Sequence, residues 1–452
     1  MKFLFFVLFC SIPGLALAAE GGEIHTSTGR FSHDQLIGWA EQYGTPLFVY
    51  DGDLIVAKFK KFKAAYEEAW GKDKVKVFYA LKANTNLSIV ALLSQAGAHA
   101  ECISGNEMRI AHMLGHKGED VLFTSSSKSP EELKYAVTQG AVINLDSMSG
   151  LTNLEKVVEK LDMKARISFR INPDVDPKTH RHISTGHKFS KFGILFENDE
   201  IIEAYRRAKE NKRLEIWGIH SHIGSQITET GPFVRNVQLV AEAVRRLKNQ
   251  LGIQLKFINL GGGLGIPYHD GQEALQPATV AEKTVKLLRE ELKDLGYTPE
   301  LWFEPGRYFV GDSGFLVSRV NSVKHTPYTH FINVDTGFNH LVRPILYEAH
   351  HRVRVLGKPK SGKTETFEVA GNICETGDIL AKKRYLPEPE AGDYVVFLDA
   401  GAYGMAMASE YNSFLLPAEI LVRGNKAEVI RHRARFEDLL RNQVILPDLN
   451  DR

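Results

Sequence analysis

From about residue 75 the hydrophobic pattern of the chain repeats. A short β-branched or apolar run is followed by a longer segment with helical periodicity. The runs are Val75–Leu81, Ala98–Ile103, Val121–Thr124, Ala141–Asp146, Ala165–Ile171, Leu214–His220, Phe257–Leu260 and Leu301–Glu304. Helix-like stretches such as Leu87–Gln95, Pro130–Thr138 and Phe233–Asn249 lie between them. Eight strand–helix alternations predict a (β/α)8 barrel of TIM type. A doubly wound open sheet shares the alternation, but eight units in succession favour the barrel.

After about residue 308 the texture changes. Short alternating runs (Phe315–Val320, Arg352–Leu356, Thr366–Val369, Tyr394–Leu398, Glu419–Val422) are separated by Gly, Pro and charged turns, which predicts a mostly β second domain. The segment Ser32–Tyr50 is expected to join it, with Ser32 capping a short helix. The expected division is a leader at 1–19, a segment at 20–50 packing on the β domain, the barrel at 51–308 and the β domain at 309–452.

The leader has the layout of a secretory signal peptide: Lys2, the apolar run Phe3–Phe9, a break at Pro13-Gly14, then Ala16-Leu17-Ala18-Ala19. A membrane anchor is the competing reading. The run is short for a span and lacks a basic stop, so no stable anchor is expected. Cys10 precedes the small-residue stretch, which argues against lipid attachment. Without the leader, Cys102 and Cys374 remain, too few for a disulfide framework. Across the chain 56 basic residues face 55 acidic ones, a net charge of +1. That balance gives no electrostatic reason to expect nucleic acid as a partner.

One motif is set aside. Gly357-Lys358-Pro359-Lys360-Ser361-Gly362-Lys363-Thr364 matches a phosphate-loop string, but that mechanism needs a helix next. Glu365–Val369 is strand-like, so a basic hairpin turn is expected.

In a (β/α)8 barrel, chemistry sits where strands end and loops begin. The first strand runs into Lys82. A lysine there is partly desolvated, which lowers its pKa and suits imine chemistry, although alone it is more often a snorkelling surface residue. The sixth strand runs into His220-Ser221-His222. Two alternate histidines lack a carboxylate or Cys at metal-site spacing, so no metal is expected. After the seventh strand come Gly261, Gly262 and Gly263, which either close backbone N–H groups round an anion or form a tight turn. The eighth ends in Glu304-Pro305-Gly306-Arg307, a carboxylate and a guanidinium at a rigid bend. A lysine, a stacking histidine, a glycine phosphate loop and a carboxylate together suit pyridoxal 5'-phosphate: an imine to Lys82, phosphate on the glycines, and a protonated pyridine nitrogen against Glu304.

On these residues the chain resembles the fold-type III pyridoxal-phosphate decarboxylases, and most closely the diaminopimelate decarboxylases, from about Leu36 to Leu440. Ordered motifs carry the resemblance: Tyr43–Pro46, Tyr79–Asn84, Ile183–Gly186, Lys191–Gly193, His222–Gln226, the triple glycine, Glu304–Arg307, Arg343–Tyr347, Cys374–Asp378, Gly401–Tyr403 and Tyr411-Asn412. The resemblance implies an alanine-racemase-like pairing of barrel and β domain. It also implies roles. Lys82 carries the cofactor, and His222 stacks on its ring. Ser225, Gly261, Gly262, Gly263 and Tyr403 surround the phosphate, and Glu304 meets the ring nitrogen, with Pro305, Gly306 and Arg307 beside it. Arg307, Arg343, Tyr347, Glu375 and Tyr403 meet the substrate, and Cys374 is the proton donor. It further implies a homodimer with shared active sites, in which the Cys-Glu pair comes from the other subunit.

Outside that context Tyr347 and Tyr403 read as packing residues, Cys374 as a small buried hydrophobe and Cys102 as core. Two stretches depart from the family pattern: Ser125-Ser126-Ser127-Lys128 and Gly105-Asn106-Glu107. They bear on specificity and rate. The implied reaction is decarboxylation of meso-2,6-diaminopimelate to L-lysine. An arginine, ornithine or carboxynorspermidine decarboxylase, a racemase, and a pyridoxal-phosphate carrier without turnover stay open as alternatives. Two arginines and one carboxylate suit a distal carboxylate and ammonium. The leader points to export, whereas lysine biosynthesis points to the cytoplasm.

Overall fold

A computed structural model describes residues 30–175, 185–186, 189–196, 199–358 and 362–449. The leader, Cys10, Ile183, and Pro359, Lys360 and Ser361 of the phosphate-loop string lie outside them. The described chain opens with a helix, His33–Tyr43. Ser32 caps it, accepting from the Gln35 N–H while the Gln35 side chain accepts from the Ser32 N–H, a reciprocal capping box. Strand β1 (Leu47–Asp51) follows, with all five residues buried. It pairs antiparallel with β11 (Gly314–His325) and parallel with β17 (Ala418–Arg423), so the N-terminal segment is a central strand of the second sheet.

The barrel comprises β2 (Val75–Ala80), β3 (His99–Cys102), β4 (Val121–Phe123), β5 (Val142–Leu145), β6 (Ala165–Asn172), β8 (Leu214–Ser221), β9 (Phe257–Asn259) and β10 (Glu300–Phe303). All pair in parallel, and the β5–β6 and β10–β2 pairings close the ring, which excludes the open sheet. A two-residue β7 (Ile194–Leu195) adds to β6. The remaining strands, β12 (His330–Val334), β13 (Val353–Val355), β14 (Thr364–Ala370), β15 (Ile379–Pro387), β16 (Tyr394–Phe397) and β18 (Lys426–Arg431), join β1, β11 and β17 in the second sheet. Thr364 therefore opens a strand, and no helix follows Lys363.

Side-chain alternation along the barrel strands builds two layers in the lumen. Phe78, Leu122, Val142, Phe257 and Trp302, from five strands, form an apolar plug. The Phe257 and Trp302 rings stack at 3.6 Å. Two residues further along each strand the inward positions turn polar. Thr124, Asn144, Asn259 and Glu304 continue β4, β5, β9 and β10, joined by Glu101, Ser168, Arg170 and His220, and all eight are buried. Polar side chains in a lumen cost free energy unless paired. Here neighbouring strands satisfy several of these groups, as in Ser168 donating to Asn144 Oδ1 (2.8 Å), while Asn144 Nδ2 and His220 Nδ1 have no hydrogen-bond partner among the described residues. Among the described residues no helix is long and apolar enough to cross a membrane.

Candidate active site

Lys82 lies just past β2, in a short 3-10 turn at Leu81–Ala83. Its Nζ donates to both carboxylate oxygens of Glu101, at 2.6 and 2.8 Å. Glu101 is fully buried and also accepts from the Thr124 hydroxyl. The ion pair overturns the expected pKa. Burial lowers the Lys82 ammonium, but Glu101, backed by Tyr403 and Glu304, more than reverses this and holds it above its ordinary value. Lys82 thus rests as an ammonium whose proton points at a carboxylate.

Glu304 ends β10 on the lumen floor. Its carboxylate accepts from Asn259 Nδ2 at 2.7 Å and meets His220 Nε2 at 3.1 Å. Burial opposes ionisation, yet His220 and Lys82 hold this carboxyl below its usual range. Beside it, burial, Arg170 and Lys82 push the His222 imidazole well below its ordinary pKa, so it is a neutral ring. His222 Nδ1 accepts from the Gly262 N–H at 3.2 Å.

The glycine loop follows β9. Two of its N–H groups are engaged within the chain, Gly261 on Asn259 Oδ1 (2.8 Å) and Gly262 on His222. Close approach explains the residue type. A Cβ on Gly261 would lie 2.5 Å from the Ser221 carbonyl oxygen, and one on Gly262 would lie 2.3 Å from that of Glu304. The loop is therefore pressed onto the strand ends that carry His222 and Glu304. Gly262→Ala is expected to cost about 1–3 kcal/mol of stability through overpacking and to weaken cofactor binding. Gly38→Ala, on a helix with nothing within 4 Å of the new methyl, is the matched control and should be neutral or stabilising. Equal thermal melts for the two variants would discard the close-approach account.

Arg307, just past Glu304-Pro305-Gly306, is only 4 % exposed. It donates to Ser225 Oγ at 3.1 Å and to the Tyr268 hydroxyl at 2.7 Å, and lies 4.9 Å over the Tyr403 ring. Arg343 comes from the β domain, is 3 % exposed and sits 4.6 Å over the other partner ring, Tyr268. Its Nη1 meets His351 Nε2 at 2.7 Å, and its Nε is buried without a hydrogen-bond partner. His351 Nδ1 lies 2.8 Å from the Leu398 carbonyl, which can only accept, so Nδ1 carries the proton and Nε2 is the acceptor. Among the described residues no carboxylate lies within ion-pair distance of either guanidinium.

Tyr403 adopts a left-handed φ of 57° and donates its N–H to the Ala83 carbonyl (2.8 Å), next to Lys82. Pro305 and Gly306 bridge to the same strand: the Pro305 carbonyl accepts from the Ala80 N–H, and a Cβ on Gly306 would meet the Ala80 and Ala83 side chains at 3.0 Å. Tyr347, half-buried at the end of the Arg343–Leu346 turn, points its hydroxyl at Met407 Sδ (4.0 Å).

Cys374 and Glu375 stand apart. Both are exposed on the β domain. The Cys374 N–H donates to Asn412 Oδ1 and Glu375 accepts from the Tyr411 hydroxyl (2.5 Å), but no hydrogen bond or ion pair joins either to Lys82, Glu304, Arg307 or Arg343. Glu375 borders an open apolar hollow lined also by Phe338, Val342, Ile345, Leu346, Ser409 and Tyr411. Cys102 is buried, and both cysteines are free thiols.

Sequence reasoning passed over Glu101, Arg170, Tyr268 and His351. Glu101 had a signal: a carboxylate in the apolar run Ala98–Ile103, in step with an inward face. Tyr268 had none, because it acts only through Arg307, 39 positions away, and His351, eight positions past Arg343, stands in no motif of its own.

The group expected here is pyridoxal phosphate, and the residues suit it. An amine, a carboxylate on the lumen floor, a neutral imidazole, and a glycine loop with no room for a side chain converge at one barrel mouth. Comparison with known proteins agrees. The model of the pyridoxal-dependent decarboxylases, pyridoxal binding domain, matches residues 53–311. A diaminopimelate decarboxylase of Methanothermobacter thermautotrophicus is 40 % identical over 407 residues, 90 % of this chain and 93 % of that protein. The diaminopimelate decarboxylase of Helicobacter pylori complexed with L-lysine superposes with a TM-score of 0.83 at 36 % identity, over 90 % of this chain and 98 % of that one. For the Methanocaldococcus jannaschii enzyme in co-complex with L-lysine the TM-score is 0.86 at 35 % identity, over 91 % and 95 %. With its closed barrel, β domain and lysine-bearing mouth, the chain belongs to the diaminopimelate decarboxylases, a family of pyridoxal-phosphate-dependent carboxy-lyases.

Proposed function

We propose that this protein decarboxylates meso-2,6-diaminopimelate to L-lysine and CO2, with Lys82 carrying pyridoxal 5'-phosphate. The substrate reading rests on Arg307 and Arg343, two buried guanidiniums with no carboxylate partner among the described residues. A buried charge without a counter-ion is costly, so the site is built to receive anions. A substrate with a distal carboxylate supplies one; arginine and ornithine do not.

When bound, pyridoxal phosphate supplies an aldehyde that condenses with amines and a ring that withdraws electrons from the substrate α-carbon. Lys82 must lose a proton before its Nζ can act, and Glu101 at 2.6 Å is the acceptor within reach. Glu304 has lone pairs left beyond Asn259 and His220, and with these it would hold a proton on the ring nitrogen of the bound cofactor. His222, neutral, would hold the ring by stacking. Ser225 and Tyr403 would take the phosphate with the Gly261–Gly263 loop. Arg307, Arg343 and Tyr347 hold the distal end of the substrate, Pro305 and Gly306 setting the position of Arg307. Glu375 of the partner subunit meets the distal ammonium, and Cys374 of the partner subunit returns a proton to the α-carbon.

The dimer is part of this reading. An exposed Cys374-Glu375 pair serves the barrel mouth only if a second copy brings it there. Lys82→Ala and Cys374→Ala homodimers should each be impaired. Mixed and allowed to exchange subunits, they should regain about a quarter of wild-type activity, since half the dimers are mixed and each has one intact site. No recovery, with exchange demonstrated, would place both residues in one chain. The working division of the chain remains a barrel at 51–308 and a β domain at 309–452.

Purified protein given meso-diaminopimelate should release equal amounts of L-lysine and CO2. Turnover of arginine or ornithine instead would overturn the substrate, and bound cofactor without turnover of any amino acid would favour a carrier.

A further inference from the structure

We propose a binding site for a divalent transition-metal ion, Zn2+ or a similar borderline cation, formed by His325, His330 and Glu365 at the tip of the β11–β12 hairpin. It lies on the second sheet, and none of its three side chains takes part in the proposed reaction. One ligand atom from each of the three side chains lies within 4.8 Å of the other two.

The backbone presets the two imidazoles. His325 and His330 are directly opposed in the antiparallel register. The turn between them is fastened by Thr326: its N–H and its hydroxyl both donate to the Thr329 carbonyl, and its Oγ1 accepts the Thr329 N–H at 2.9 Å. The two Nδ1 atoms face each other at 2.6 Å. Bound to one Zn2+ at the usual Zn–N distance they would stand roughly 3.3 Å apart, a small opening for two partly exposed rings. Glu365 Oε2 lies 3.8 Å from His325 Nδ1 and 3.8 Å from His330 Nε2. That oxygen is buried and has no hydrogen-bond partner, an unsatisfied acceptor beside two imidazoles.

A second feature points independently to a metal. His325 Nε2 meets Glu388 Oε1 at 3.0 Å. A carboxylate on the far nitrogen fixes the tautomer that bares Nδ1, which is how metal-ligating histidines are typically held. Lys363 bridges Glu365 Oε1 and Glu388 Oε2 at 2.7 and 2.9 Å and competes for the same carboxylates. It is 64 % exposed and can turn to solvent. Two imidazoles and one carboxylate, with a position open to water, match the donor preference of Zn2+.

The test is calorimetric titration of untagged holoenzyme with Zn2+, paired with thermal melts. Wild type should take up one equivalent per chain at this site and melt higher with Zn2+. His325→Ala and His330→Ala should weaken that uptake by more than tenfold and abolish the shift. Glu388→Gln should weaken it on the order of tenfold, as losses of supporting carboxylates do. Lys363→Ala should tighten it, a change in the direction that misfolding cannot produce. Equal Zn2+ affinity in wild type and both histidine variants, or no uptake by wild type, overturns the proposal.

Discussion

Lys82→Ala is expected to lower turnover of meso-diaminopimelate by roughly four orders of magnitude or more, as losses of a covalent nucleophile do, and to abolish the imine absorbance of the holoenzyme. The substitution removes both the amine and the cation paired with Glu101, leaving a fully buried carboxylate without its ion-pair partner. Lower stability is therefore expected alongside lost chemistry. Lys82→Arg separates the two: a guanidinium can still pair with Glu101 but cannot form the imine. It should melt near wild type and stay inactive. The informative failure is a persistent imine in Lys82→Ala. Lys128 is then the amine to examine, since burial brings its pKa down to about 8 and it donates to the Asn144 carbonyl on the next strand. Absorbance spectra of the two Lys82 variants, read with melting curves, decide between the lysines.

Glu304→Gln should cut kcat by about a hundred- to a thousand-fold while Lys82 still holds the cofactor, the range found when one preorganised electrostatic contact is removed. The amide keeps the shape and one acceptor for Asn259 or His220 but cannot hold a proton on a ring nitrogen. The loss should therefore fall on kcat, with the holoenzyme imine still present. Glu304 is also one of the charges that raise Lys82, so the variant's imine should form with a pH dependence shifted downward. An unchanged kcat would remove Glu304 from the electron-sink role.

Much of the barrel could be read from the chain because its physics is local. A buried parallel strand is a short apolar run and a covering helix has a 3.6-residue stripe, so each unit announces itself within about thirty residues. Ser32 announced the first helix in the same way. The second sheet was less legible. His330–Val334, Ile379–Pro387 and Lys426–Arg431 mix charged and apolar residues on half-exposed strands, and their pairing partners lie far away in sequence. The motifs at strand ends were visible because a barrel gathers all its strand ends on one face.

The sequence by itself determined which residue types reach the barrel mouth: Lys82, His222, the glycines, Glu304 and Arg307 follow strands whose ends the pattern marks. Only the tertiary structure decided their electrical state and their company. It set Glu101 against Lys82 and so raised an amine expected to be lowered. It brought Arg343 and His351 from the β domain and Tyr268 from a barrel loop around Arg307, leaving two guanidiniums without a carboxylate among the described residues. It left Cys374 and Glu375 exposed on the surface. Charge pairing depends on distances of a few ångströms between residues tens to hundreds of positions apart, and local pattern carries no record of those distances.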